Sequence, residues 1–496
     1  MGIVKFAVGG LLGMALLCTS VAAGGFENTA VGTTAAGMGG AFRSIADDWT
    51  AAYYNPAGLA FQKDNQLGGY ASFTQLRNEL SPNYRNGANQ TEFGVINNRN
   101  IYNFHQIFYT PGSGLVTRLP FLNNEMVFGF SAYQPFDYNI NWQLYQPLTV
   151  YNDSAYGRYP TGQFKNDLDV VAFQFSAAKS FNDDKLAVGI GLQRLRADLF
   201  YNDVVFRPNP MTGELAADQW SIVPEFVSVN GNGWGWGLRG GMMYKFNKGT
   251  IGLTAAIPFD ITIKGSADLN YLMPKNFALA NKYLIGTPEY LFIAGSDLHI
   301  TADFETKLKL PMSVAAAFSY QATEKLTLAV DAELMMWSRF DGYTFSYSNF
   351  SNLPKLSVGD SAQRAAAGAT FAYLTANTER PTNWQSAAKV ALGARYDLMS
   401  SLTLIAGGSF DQSADRNHET STPQLVDIGN KLGLSFGGIV HAGQRFDLSL
   451  VLNWRHYPDL STTAQNDLNG DGIVDSFPGD YKAQTIETQL SFGYRF

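Results

Sequence analysis

Cysteine is almost absent from this 496-residue chain, and the one present, Cys18, sits within the first apolar run. A single cysteine, lost if that run is cleaved, leaves no disulfide framework and no thiol chemistry to claim. Histidine is scarce too, with five in all: His105, His299, His418, His441 and His456. None lies in a nucleophile motif, so a lipid hydrolase would have only a pair such as Ser409 and His441 to draw on. Basic clusters are missing, with 35 Lys and Arg against 42 Asp and Glu and a formal charge of -7. That balance argues against nucleic acid as a partner. Past the N-terminus there is no run of about eighteen apolar residues, so no transmembrane helix is expected. Glycine, at 49 residues, and aromatics, at 14%, are abundant instead.

Lys5, an apolar stretch from Phe6 to Leu17, and the small residues Val21, Ala22 and Ala23 read as a secretory signal peptide over 1–23. Cys18 invites a lipoprotein reading, but such a site wants a small residue before the cysteine, and Leu17 is large.

The rest of the chain alternates. Ile486, Thr488, Leu490, Phe492, Tyr494 and Phe496 share one face, and Glu487, Gln489, Ser491, Gly493 and Arg495 the other. Phe446, Leu448, Leu450, Leu452 and Trp454 repeat the pattern, as does Leu326–Met336 with Asp331 and Glu333 on its polar side. A soluble sandwich would alternate as well, so the connections decide. Asn123-Asn124, Asn182-Asp183-Asp184, Asn247-Lys248-Gly249, Ala322-Thr323-Glu324, Met399-Ser400-Ser401 and Ala442-Gly443 are short links, and every other connection is long. Short turns alternating with long loops are the rhythm of a bacterial outer-membrane barrel, here all-β, antiparallel and of about fourteen strands. The expected third strand covers 125–136. The terminal Phe492, Tyr494 and Phe496 resemble the signal read by the barrel assembly machinery.

A barrel this wide is not filled by its own side chains, so something must occupy the lumen. Residues 24–62, before the barrel at 63–496, are rich in Ala and Gly and fit a compact plug, although a periplasmic tail would have a similar composition. Within them, GMGGAF at 37–42, ADD at 46–48 and YYNPAGLAF at 53–61 resemble the FadL/TodX family of outer-membrane transporters of long-chain fatty acids and other hydrophobic compounds. GWGWGLRGGMMYKF at 233–246, Leu310-Pro311 and Trp337-Ser338 extend the resemblance.

The resemblance implies that Asn55, Pro56, Ala57 and Gly58 belong to an N-terminal hatch. It also implies uptake of a hydrophobic small molecule without catalysis: capture by extracellular loops, hatch rearrangement and lateral exit near a kinked third strand. Pro135 is the kink expected here, because proline cannot donate to a ladder, though it would equally end the strand. The capturing loops are expected at 201–232, with Phe206, Trp220 and Phe226, and at 271–299, with Phe277 and Leu284. These residues would serve as well to pack one loop on the other. A fatty-acid carboxylate needs a cation, and Arg194 with Arg196, or Lys307 with Lys309, share a strand face. The expected partners are outer-membrane lipid and lipopolysaccharide, and the expected state is a monomer. A general porin is the remaining alternative, disfavoured by the plug and the apolar loops.

No cofactor is expected, with one exception in the long connection before the last strand. Asp467, Asn469, Asp471, Ile473 (through its carbonyl) and Asp475 occupy positions 1, 3, 5, 7 and 9 of a calcium loop, with Gly472 at position 6. Position 12 is Pro478, so Asp480 would have to reach back, and a solvated Asp/Asn/Gly turn reads equally well. Calcium titrated calorimetrically into chelator-treated protein should release heat that an Asp467→Ala/Asp471→Ala variant lacks; equal heats dispose of the site.

Overall fold

The structure is a computed structural model. It describes residues 25–28, 30–82, 101–102, 107–119, 126–145, 162–211, 222–273, 281–357, 359–415, 422–425, 427, 429–463, 466, 476 and 478–496. The signal segment, the Asn123-Asn124 link, Trp220, Phe277 and the calcium-like loop from Asp467 to Asp475 lie outside these residues.

Fourteen antiparallel passes close into a barrel. They are β1 (Gln66–Pro82), β2 (Ile107–Arg118), β3 (Met126–Tyr145), β4 (Gly162–Phe181), β5 (Leu186–Pro208) and β6 (Ile222–Phe246). Four interrupted strands follow: β7 (Gly249–Pro258 and Ile261–Leu272), β8 (Asp297–Leu308 and Ser313–Gln321), β9 (Leu326–Met335 and Gly342–Ser351) and β10 (Thr378–Pro381 and Ala387–Met399). The last are β11 (Leu402–Asp411), β12 (Lys431–Ala442), β13 (Phe446–Thr462) and β14 (Gly479–Arg495). β14 returns to β1 over the whole run from Gln66↔Arg495 to Pro82↔Gly479, so the sheet has no free edge there.

The alternation turns inside out relative to a soluble protein. On β5 the outward set Val188, Ile190 and Leu192 is exposed while Ala187, Leu195 and Ala197 are buried; on β13 Leu448, Leu450 and Leu452 face out and Val451 faces in. An unbroken exterior of large apolar side chains is stable only against lipid. The short turns sit where expected. Asn182, Asp183 and Asp184 take φ of 53°, 52° and 60°, a left-handed conformation that Asn and Asp tolerate better than most residues.

Two parts depart from the sequence expectation. Much of 201–232 is strand rather than capture loop, because β5 and β6 run on as one long hairpin paired from Leu186↔Tyr244 to Pro208↔Ile222. Its apolar residues Val204, Val205, Phe206, Val223 and Val227 are buried in one core with Phe292 and Leu374. Arg380 with Asp203, at 2.5 Å, and Arg207 with Glu225 pair within it.

The second departure is a seam. β7, β8 and β10 break beside Pro258, Pro311 and Pro381, which have no amide hydrogen for a ladder, and β9 breaks at the 3-10 turn Trp337–Arg339. Trp337-Ser338 therefore lies in the middle of β9. Arg339 closes the seam by donating to the carbonyls of Pro258 and Leu310, each at 3.2 Å, and to Asp260 at 3.0 Å.

A closed ladder of this extent resists detergent, so the unheated protein should migrate faster on a gel than the boiled protein. Identical mobility, in a sample with strong β circular dichroism, would count against closure.

Candidate functional site

The lumen is occupied by the chain's own N-terminal segment. Its elements are short: α1 (Thr33–Gly37), α2 (Ala51–Tyr54) and a 3-10 turn (Pro56–Phe61). Small residues let this backbone approach the wall. At Gly39, with φ 66°, an added Cβ would stand 2.8 Å from the Gly408 amide nitrogen.

Asn55 is extended, φ -157° and ψ 100°, because the following Pro56 disfavours helix there. Fully buried, it accepts from the Ala57 amide at 3.2 Å and donates to the carbonyls of Arg43 at 3.0 Å and Met242 at 3.2 Å. It thus joins two parts of the segment to β6. Pro56 opens the 3-10 turn with its fixed φ, and Gly58 passes so close to Ala46 that a Cβ would lie 2.3 Å from its carbonyl oxygen.

The strongest tie is ionic. The amides of Phe42 and Arg43 donate to Asp331 on β9, at 3.1 and 3.0 Å, and the Arg43 guanidinium lies between Asp331 and Glu333. All three side chains are buried. Burial works against the Arg43 charge, but Glu333 and then Asp331 outweigh it and hold the guanidinium protonated. Higher in the lumen, Glu27 accepts from the Tyr53 hydroxyl at 2.8 Å and lies 3.5 Å from the Lys389 ammonium. Burial raises the Glu27 carboxyl, yet Lys389 and Tyr53 more than offset that and hold it below its ordinary range.

Phe26 anchors the start of the segment in an aromatic cage. Its ring lies 4.6 Å from Trp337, 5.2 Å from Phe340, 5.7 Å from Tyr138, 5.8 Å from Trp384 and 6.0 Å from Phe136, mostly edge to face. The seam and β3 supply this cage between them.

β3 is the irregular part of the wall. Gln134-Pro135 forms a bulge against β4, where pairing jumps from Tyr133↔Ala172 to Phe136↔Val170. Pro135 neither ends the strand nor leaves its parity alone. Below the bulge Phe128 and Phe130 face out; above it Phe136, Tyr138, Ile140 and Trp142 face in. β2 pairs with β3 only over Ser113–Arg118, so among the described residues Ile107–Gly112 and the upper half of β3 make no ladder with each other. Part of that freed edge binds the segment instead. The Asn28 amide donates to the Pro135 carbonyl at 2.9 Å, and the Asp137 amide to the Phe26 carbonyl at 3.0 Å. Beside it lies a cavity of about 140 Å³ bordered by Phe26, Glu27, Phe108, Tyr138, Lys431 and Arg455.

The other sequence candidates fall elsewhere. Arg194 and Arg196 share the outward parity of Val188, Ile190 and Leu192, which takes them out of the lumen; they lie over Trp234 and Trp236. Lys307 faces out too, and Lys309 pairs with Asp341. Phe206 is buried and Phe226 half-buried against the core, whereas Leu284 is 76% exposed beside Ile285 at 81%. Ser409 opposes Gly433, eight residues along β12 from His441. His441 instead contacts Asp447 at 2.6 Å and Thr403 at 3.1 Å, so the proposed hydrolase pair does not form. Among the described residues no group of three or more His, Cys, Asp or Glu is placed to hold a metal. Sequence reading missed Arg43, Lys389, Lys431 and Arg455. The signal available for the strand residues was their place on the polar, lumenal parity of β10, β12 and β13.

Residues 14–496 match the family described as outer membrane protein transport protein (OMPP1/FadL/TodX). Outer membrane protein P1 of Haemophilus influenzae is 24% identical over 307 residues, 57% of this chain and 54% of that protein. The 47 kDa outer membrane protein of Pasteurella multocida is 24% identical over 212 residues, 42% and 41%. The chain thus spans about half the length of the curated relatives it matches. A Pseudomonas aeruginosa FadL homologue superposes with a TM-score of 0.69 at 15% identity, covering 95% of this chain and all of that one. The P. putida toluene transporter TodX gives 0.65 at 14%, covering 94% and 99%. Identities this low establish the fold.

Arg43→Ala should leave Asp331 and Glu333 facing each other without a cation, at a cost of about 3–5 kcal/mol. Hydrogen exchange over residues 30–60 should rise at least tenfold while the strands stay protected, and adding Asp331→Asn and Glu333→Gln should recover part of the protection. Unchanged exchange in Arg43→Ala would show that the segment does not depend on this triad.

Proposed function

The chain belongs to the outer membrane protein transport family (OMPP1/FadL/TodX) of the bacterial outer membrane, and from that premise we propose that it takes up long-chain fatty acids or other hydrophobic small molecules by diffusion through a gated lumen. The observation that carries this reading is the lumen itself. Phe136, Tyr138, Ile140, Trp142, Leu168, Val170 and Leu199 face inward and are buried, where a water-filled porin would present polar side chains.

In this reading residues 1–23 are the signal peptide, 24–62 the hatch and 63–496 the barrel, and the protein acts as a monomer without cofactor or catalysis. Leu284 and Ile285 offer an apolar landing point at the outer surface. The ligand passes to the cavity beside Phe26, where Lys431 and Arg455 stand in place of the outward arginines as lumenal cations for a carboxylate. Lys431 is held there by Asp427 at 3.1 Å and the Gly25 carbonyl at 3.2 Å. Movement of Phe26 to Asn28 would free the upper edge of β3, and the gap between β2 and β3 then gives lateral exit. The concentration gradient supplies the driving force.

Deleting residues 24–57 tests the reading. The truncated barrel should conduct ions in planar bilayers, where the intact protein should show almost no openings, and it should lose selective uptake of a labelled fatty acid into proteoliposomes. Large, stable openings of the intact protein would favour the porin. A truncated barrel that assembles and conducts no more than the full chain would exclude the hatch.

A further inference from the structure

On the outer wall, an aromatic and cationic row crosses β4, β5 and β6. Phe173 opposes Arg194, and Arg194 opposes Trp236; one row up, Val171 opposes Arg196 and Arg196 opposes Trp234. The Arg194 guanidinium lies 4.7 Å from the Trp236 ring and 5.1 Å from the Trp234 ring, and Phe173 stacks on Trp234 at 6.3 Å. All five aromatic and cationic side chains belong to the outward face, with Trp234 and Trp236 nearly half exposed.

Its height is set by the strand. Arg194 is eight residues past Leu186, where β5 leaves the periplasmic turn. At about 3.3 Å per residue and a tilt of about 40°, that is roughly 20 Å up an apolar band about 25 Å tall. Arg194 therefore stands where outer-leaflet acyl chains meet their headgroups, and paired tryptophans there are an interfacial girdle.

Arg194 differs from the other arginine of the row. Arg196 is bound to Asp198 at 2.8 Å, whereas Arg194 reaches only the Gly235 carbonyl, at 3.3 Å, and has no carboxylate within ion-pair distance among the described residues. A guanidinium facing lipid without an anion is costly, and its fork matches a phosphate. The row above excludes a higher position for an anion, since Asp137, Asp169 and Asp198 oppose one another there. Below it, Leu115, Phe130, Phe173, Phe175 and Leu192 border an external trough of about 520 Å³ that ends at Arg194 and Trp236. Apolar trough, cation at its head and carboxylates beyond it describe an amphiphile with its anionic group fixed in height.

We propose that this wall surface is a docking site for a phosphorylated, multiply acylated lipid of the outer leaflet, with a phosphate on Arg194 and an acyl chain in the trough. The assignment rests on the outer-membrane location and not on the transport reading. The test uses native mass spectrometry of the detergent-solubilised protein with lipid A and with lipid A stripped of its phosphates. Wild type should hold phosphorylated lipid A at least tenfold more tightly than the stripped form. Arg194→Gln should lose that preference, and Arg196→Gln, whose charge Asp198 already engages, should lose at most two- to threefold. Heat-modifiable migration checks that each variant is folded. Loss of lipid preference in Arg194→Gln with fatty-acid uptake intact supports the assignment. An unchanged preference in Arg194→Gln, equal binding of the stripped lipid, or displacement of lipid A by equimolar fatty acid would overturn it.

Discussion

Fourteen strands closed on themselves enclose more space than inward side chains can fill, and most other features of this protein answer that constraint. Wall closure satisfies the backbone within the membrane, but it leaves a lumen that would otherwise hold water. The N-terminal segment occupies it with a backbone rather than with large side chains, which is why it needs Ala and Gly to approach the strands and Asn55 to satisfy carbonyls on both itself and β6. A plug made of backbone cannot rely on hydrophobic burial alone. The Arg43, Asp331 and Glu333 cluster adds a directional tie that apolar packing lacks. Such a cluster is expensive to break from one side and less so if all three charges are removed, so it specifies where the segment docks more than it adds to net stability.

The same segment meets the wall's second demand. A bulge at Gln134-Pro135 gives β3 an edge that β2 cannot follow, and an open edge in a membrane is a liability. Phe26, Glu27 and Asn28 pair with part of that edge, while Phe26 fills a cage built from β3 and the interrupted strands opposite. Plug, wall gap and aromatic cage are therefore one mechanical unit. Withdrawing Phe26 to Asn28 removes ladder bonds and cage contacts together.

How far this was legible in the sequence follows from parity. Where a strand kept one alternation from end to end, as from Gln484 to Phe496, both its existence and its faces could be read. Where the parity inverts, it could not. Phe128 and Phe130 face lipid but Phe136 and Tyr138 face the lumen, so the expected third strand stopped at Phe136 although β3 runs on to Tyr145. Beyond residue 200 the hairpin β5–β6 carries no alternation to read, because Val204, Val205 and Phe206 are buried on both faces. The NPA element was visible as a local motif. Its partners were not, since Asn55 bonds Met242 and Arg43 bonds Asp331 across sequence separations that no local pattern encodes.

Parity also decides which charges serve which compartment. Arg194 and Arg455 are both arginines on alternating strands near aromatic residues, and composition cannot tell them apart. Ile190 and Leu192, four and two residues before Arg194, assign it to the lipid side; Asn453, two residues before Arg455, assigns that one to the lumen. An outward arginine in this position faces the surroundings of the barrel and an inward one faces the N-terminal segment and the cavity beside it. The wall thus separates lipid-facing from lumenal charges with a spacing of one residue, and bulges such as those at Pro135 on β3 and Pro458 on β13 exchange the identity of the two faces along a continuous strand.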